Sequence, residues 1–295
     1  MEAVSAVSTR EALAAPKARK RPGLLRRFGR NPSAVAALGF LLLVIVAALF
    51  APLITRYDPN RIEMGATLVP PSAEHWLGTD ESGRDELARL LYGARISLTI
   101  GVVAMLLSVV LGTAIGSLAG FFGGVADTLT MRLTDAMLSI PIFFFLLTVL
   151  AVFGSTVPTL TIAIGLSSWM TAARVVRAEV LRTINLDYVV AARAHGAGNW
   201  RIVLQHLLPS AVPSMMVAST IGVGQAILTE SALSYLGVGV QPPIASWGNM
   251  LSNAQNYFFP APLLAIWPGT LILFTVLGFN CIGDSARDTL SPYQN

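Results

Sequence analysis

Charged residues are absent from this chain over stretches long enough to cross a bilayer, and that absence constrains the fold more than any motif does. A spanning helix needs about 20 mostly apolar residues. Asn31–Thr55 carries no charge and contains GFLLLVIVAALF, and Ile96–Ala126 is a second uncharged run. Ala136–Ala173 is too long for one helix, and Phe153-Gly154-Ser155-Thr156-Val157-Pro158 divides it into two. Ile202–Thr229 supplies a fifth span beginning after Pro209. Within Ser231–Gly283, Gly237, Gly239, Pro242, Pro243 and Pro260 interrupt the first half, which places a sixth span at about 263–283. Only 12% of the 295 residues are charged and 54% are hydrophobic, against roughly 25% charged in a soluble domain. A soluble enzyme, a disordered chain and a nucleic-acid-binding domain are therefore excluded, despite a pI near 9.6. One cysteine, Cys281, leaves no disulfide framework. The fold class is an all-α polytopic membrane protein with six transmembrane helices.

Lysine and arginine near the span ends set the orientation. Residues 1–30 hold Arg10, Lys17, Arg19, Lys20, Arg21, Arg26, Arg27 and Arg30 against Glu2 and Glu11, so this tail is expected in the cytoplasm. Its first 22 residues have no apolar period and read as a flexible tail, a topology signal with contact to anionic lipid as the alternative. The apolar run that follows exceeds that of a cleaved signal and reads as a retained anchor. Six spans return the C-terminus, 284–295, to the cytoplasm. The segment 56–93 falls outside and is acidic on balance; the loop 174–209 falls inside with Arg174, Arg177, Arg182, Arg193 and Arg201; 232–262 is outside again. The first span is 31–55 and the remaining five lie within 94–283.

Gly112, Gly116, Gly120 and Gly124 repeat every fourth residue and predict one helix face that a neighbouring backbone approaches closely. Arg132 and Asp135 are spaced to pair with each other. Glu230, near the outer end of the fifth span, either lines a polar cavity or faces headgroups and the outer loop. No carboxylate stands unambiguously at mid-membrane depth, which weighs against ion-coupled transport. No histidine lies in a span, and neither H-E-x-x-H nor G-x-S-x-G occurs. His75 with Glu74 and Asp80 is an incomplete metal-ligand set, read as solvated loop residues. Ser82 and Asp85 have capping-box spacing ahead of Leu87, Leu90 and Leu91, predicting a short amphipathic helix at the outer interface with a solvated acidic start.

The inner loop carries the functional signal. Trp200, Val203, Leu204 and Leu207 have the spacing of one apolar helix face, with Asn199 as the expected N-cap. Gly196-Ala197-Gly198 forms a turn, and Leu186–His195 reads as a preceding short helix thinned by Ala191, Ala192 and Ala194. A helix–turn–helix with small residues at its tip suits insertion into a cleft on another protein; the alternative is a helix pair resting on lipid.

YVVAARAHGAGNWRIVLQHLLPSAVP, from Tyr188 to Pro213, resembles the EAA loop of bacterial ABC-importer permeases. Ala191, Ala192, Gly196, Leu208 and Pro209 match, and Val190 stands where that family has Glu. HWLGTDESGRDELARLLYGARISL (75–98) and ESALSYLGVGVQPPIASWGNML (230–251) are similar to segments of the second permease subunit of dipeptide and oligopeptide importers. That resemblance implies a type I importer fold in a bacterial inner or plasma membrane. The implied partners are a homologous second permease, two cytoplasmic ATPase subunits and an extracytoplasmic substrate-binding protein, with a peptide as passenger. It further implies that Asp187, Tyr188, Ala191, Ala192, Gly196, Gly198, Asn199 and Arg201 form the ATPase-coupling surface. A P-loop needs a Gly-Lys pair, and no lysine follows Lys20, so ATP and Mg belong to the partner subunits and this chain has no cofactor of its own. The resemblance extends to permeases for nickel complexes and glutathione, and an ion-coupled secondary transporter is the alternative from another mechanism class.

Overall fold

A computed structural model describes residues 31–290; the basic tail at 1–30 and the last five residues lie outside the described residues. Helix α1, Pro32–Leu49, starts with proline in its first turn, where a missing N–H costs no intrahelical bond. The long α2, Glu86–Phe122, follows an irregular segment, then α3, Gly124–Ser139, and α4, Ile142–Phe153. Next come α5, Val157–Thr183, and the short α6, Asp187–Ala194. The chain ends with α7, Asn199–Tyr235, the short α8, Trp247–Ala254, and α9, Leu263–Leu290.

Among the described residues five helices are long and apolar enough to cross a membrane, and α3 and α4, bent by 84° at the break between them, together pass the same test as one further broken span or re-entrant segment. The bend was not anticipated from the sequence. Pro141 causes it: proline pushes the preceding residue out of the helical region, and Ile140 is extended at φ −83°, ψ 122°. The division between α4 and α5 falls where expected, with Gly154 in the left-handed region and the Thr156 hydroxyl accepting from the Thr159 amide as N-cap.

The spine is the α2–α5 crossing. A Cβ on Gly112 would lie 2.4 Å from that of Ala172, and one on Gly116 would lie 2.3 Å from the Ala173 carbonyl oxygen. Gly120 likewise abuts Val180. Backbone-to-backbone approach at this distance maximises dispersion contact, the main attraction available between helices in lipid. Gly124 departs from the expectation; it lies beyond the α2 terminus at φ +54° with open space around it. On the other face of α2, Leu98 and Met105 pack with Val223 and Ile227 of α7, Trp247 of α8, and Ile272 and Val276 of α9.

At 37 residues α2 is roughly 55 Å long, well beyond a hydrocarbon core of about 30 Å. No separate interfacial helix precedes it: Leu87, Leu90 and Leu91 belong to its first two turns. Its cap is Asp85, whose carboxylate accepts from the Ala88 amide at 2.8 Å, and Ser82 takes no part. Asp85 and Glu86 are buried rather than solvated.

Candidate functional site

Two polar regions stand at opposite ends of the bundle. The first is a knot around the start of α2. The Asp80 carboxylate accepts from the amides of Ser82 and Arg84 and from Arg84 Nε at 2.6 Å, while Arg89 Nε lies 3.4 Å away. Arg84 also reaches Glu81 at 2.9 Å. His75 Nδ1 meets Asp85 Oδ2 at 2.9 Å, and its ring packs on Tyr57. His75 and Asp80 are therefore buried members of a hydrogen-bonded knot, contrary to the solvated reading. Gly83 makes the knot possible: at φ +75° it approaches the Glu63 carbonyl so closely that any Cβ would sit 2.1 Å from that oxygen.

Further along α2, opposite Ser97, Glu230 of α7 is fully buried. It faces neither headgroups nor an open cavity. Its carboxylate accepts from Ser97 at 3.0 Å and Ser234 at 2.7 Å, with Ser231 at 3.4 Å. Ser97 also receives the Trp247 amide, and the Trp247 indole donates to the Leu90 carbonyl at 3.2 Å. A reciprocal capping box between Ser246 and Asn249 starts α8. Glu230 is thus an acceptor that seats α8 between α2 and α7. The signal in the sequence was the serine spacing around it, Ser231 and Ser234, within one helical turn.

The second region is the helix pair at the far end. Helix α6 closes with Gly196 at φ +82°, where the amides of Gly196 and Ala197 donate to the carbonyls of Arg193 and Ala192. That pattern is a Schellman termination, and it requires the left-handed glycine. Asn199 is the first helical residue of α7, not its cap; Gly198 occupies the cap position with no side-chain bond. The expected apolar face also divides. Val203 and Leu207 are buried with Ile202 against Val176 and Val180 of α5, whereas Trp200 and Leu204 are exposed. A π turn over Val203–Leu207 rotates the helix there. Pro209 explains it, since proline has no N–H to return to Gln205.

Of the residues expected to form the coupling surface, Asp187, Tyr188, Ala191, Gly196, Gly198, Asn199 and Arg201 are exposed and Ala192 is half-buried, so the structure leaves them on the open side of the pair. Val190, where the resemblance leads one to expect Glu, is also exposed. Only Val189 of α6 is buried, held by the α5 and α7 valines and isoleucine. Two of the basic residues preceding the pair are tied to α3, while Arg182 pairs with Glu179 of its own helix. Arg177 makes a bidentate pair with Asp127, and Arg174 pairs with Asp135. Asp135 is thereby joined to α5 instead of to Arg132. Glu179 accepts from Ser214 of α7 at 2.6 Å.

A family model described as "Binding-protein-dependent transport system inner membrane component" matches residues 112–293. A second, "N-terminal TM domain of oligopeptide transport permease C", matches residues 24–71. The oligopeptide transport system permease protein OppC of Bacillus subtilis is 39% identical, covering 90% of this chain and 87% of that one. The glutathione transport system permease protein GsiD of Pectobacterium atrosepticum is 40% identical over 90% and 89%. The nickel transport system permease protein NikC of Escherichia coli K12 is 38% identical over 86% and 93%. The crystal structure of an amino acid ABC transporter with histidines superposes with a TM-score of 0.51 at 16% identity, covering 67% of this chain and 92% of that one.

Proposed function

This chain belongs to the family of binding-protein-dependent transport system inner membrane components, multi-pass permeases of bacterial ABC importers, and from that premise we propose that it carries peptides as one half of a two-permease pathway. The carrying observation for coupling is the helix pair: a rigid glycine-closed turn whose outward face is open and whose inner face is bolted to α5 and α7. In this reading the pair lies in the cytoplasm, consistent with the basic tail and the arginines nearby. Its small residues Ala191, Ala192, Gly196 and Gly198 fit a cleft on an ATPase subunit. ATP and Mg are held by those subunits, and an extracytoplasmic binding protein delivers the passenger.

Mechanically, a push on Gly196 passes to Val189, then to Val176 and Val180, and so to the whole of α5. Helix α5 cannot slide independently of α2, because the glycine crossing interlocks them. A rigid-body displacement of this packed set is how closure of the ATPase pair switches access.

The test is Gly196→Val in the complex co-expressed with its ATPase and permease partners. Co-purification of the ATPase subunits and uptake of labelled dialanine are both expected to fall while the permease still inserts. Unchanged assembly and uptake would refute the coupling surface. Glutathione and nickel are run as alternative passengers, since permeases named for each are about as similar as those named for peptides. Transport of either with no dialanine uptake would replace the peptide reading.

A further inference from the structure

The bend between α3 and α4 opens a cavity of about 640 Å³ that the coupling site does not use. Its walls come from α2, the Pro141 bend, α5 and α7, and no charged residue lines it. Met105, Met137 and Met170 supply much of the apolar surface, and Met105 lies across Gly222, where a Cβ would meet its sulfur at 2.2 Å. Ser167 and Ser168 turn their hydroxyls back to the Ile164 carbonyl of their own helix. Thr171 and Gln225 do not. Thr171 stands near the middle of α5 and Gln225 within the apolar part of α7; both are exposed, and neither side chain meets a hydrogen-bond partner among the described residues.

An unpartnered amide and hydroxyl within apolar spans cannot face acyl chains without forfeiting their hydrogen bonds to hydrocarbon. The same holds for the broken backbone at Ile140 and Pro141, which between two apolar helices belongs beside protein or water. Polar side chains from two helices, converging on one concavity at a helix break, mark a water-filled route. We propose that this concavity is the chain's own wall of the translocation pathway, where Thr171 and Gln225 exchange hydrogen bonds with the amide groups of a passing short peptide. The inference rests on the peptide reading above for its passenger. Flexible thioethers accommodate varied side chains, and a wall without fixed charge reads the passenger through hydrogen bonds and apolar contact alone.

The experiment uses the assembled complex with Cys281→Ser as background and Thr171→Cys, Gln225→Cys or Leu106→Cys added singly. Leu106 is the control, being 59% exposed on an apolar face of α2. A hydrophilic methanethiosulfonate reagent is expected to modify the cysteines at 171 and 225 roughly tenfold faster than that at 106, and to stop dialanine uptake. Rates as slow as at 106 would mean that lipid or a helix of the partner permease covers the cavity, overturning the proposal. The reaction rates need no passenger, so they decide the pathway even if dialanine proves not to be carried, an outcome that sinks only the peptide reading. A Thr171→Val, Gln225→Leu double variant checks the hydrogen-bonding role. Reduced dialanine uptake with unchanged complex assembly is expected, and full uptake would remove that role.

Discussion

Where α2 begins, Arg84 and Arg89, each less than a tenth exposed, both pair with the buried Asp80; where α5 finishes, Asp187, Tyr188 and Arg201 stand in the open and Val189 alone of α6 reaches the interior. Both ends are polar, yet the first spends its charges on its own shape and the second presents its surface outward. Buried ion pairs tolerate no missing member, because the remaining charge has nowhere to go. An exposed helix pair tolerates nearly any substitution that keeps its backbone, since its side chains touch little within the chain. Stability and function are therefore expected to separate along the length of the bundle.

The largest effect should come from Arg89→Ala. Truncation leaves buried Asp80 with Arg84 alone as its counter-charge and empties the space of a buried side chain, at a cost of about 3–5 kcal/mol; thermal unfolding of the purified complex should show a large drop in midpoint or no folded permease at all. Glu230→Leu comes next. It deprives three serine hydroxyls of their acceptor, for roughly 1–3 kcal/mol, and limited proteolysis should cut first between α7 and α8 as α8 loses its seat. Gly196→Val should cost about 1–2 kcal/mol from the left-handed backbone, confined to the pair because the added carbons have open space. The same unfolding assay should place it above the Glu230 variant in stability while uptake falls further. Val190→Glu should change the midpoint least, within about 0.5 kcal/mol, and ATPase co-purification should be the measurement that moves. A large stability loss at position 190, or none at 89, would erase the contrast between the ends.

Much of this was legible from residue order. The charge-free runs marked the apolar helices apart from α3, which carries Asp127, Arg132 and Asp135; Gly154 and Pro158 marked the α4–α5 division, and the glycine repeat identified the face that meets α5. These are local or periodic properties, and a membrane forces them to the surface of the sequence by excluding charge and rewarding close backbone contact. The misreadings share a different cause. Asp135 had Arg132 at the right spacing, but Arg174 from another helix took it. Trp200 and Leu204 had the period of a buried face, but the π turn ahead of Pro209 changed the phase. Asp85 and Glu86 looked like a solvated helix start, but the segment folded back over them.

Residue order by itself thus determined that the chain spans a membrane, roughly where each helix lies, which face of α2 is crowded, and that a glycine-closed helix pair interrupts the arginine-rich loop. Only the tertiary structure decided which charges are buried, that Glu230 is held by serines from two helices, and that Thr171 and Gln225 face a common cavity. The reason is the range of the interactions. Hydropathy and helix termination act within a few turns and are written in neighbouring residues, whereas a carboxylate's partner is set by which helices pack side by side, and those partners lie far apart in the chain.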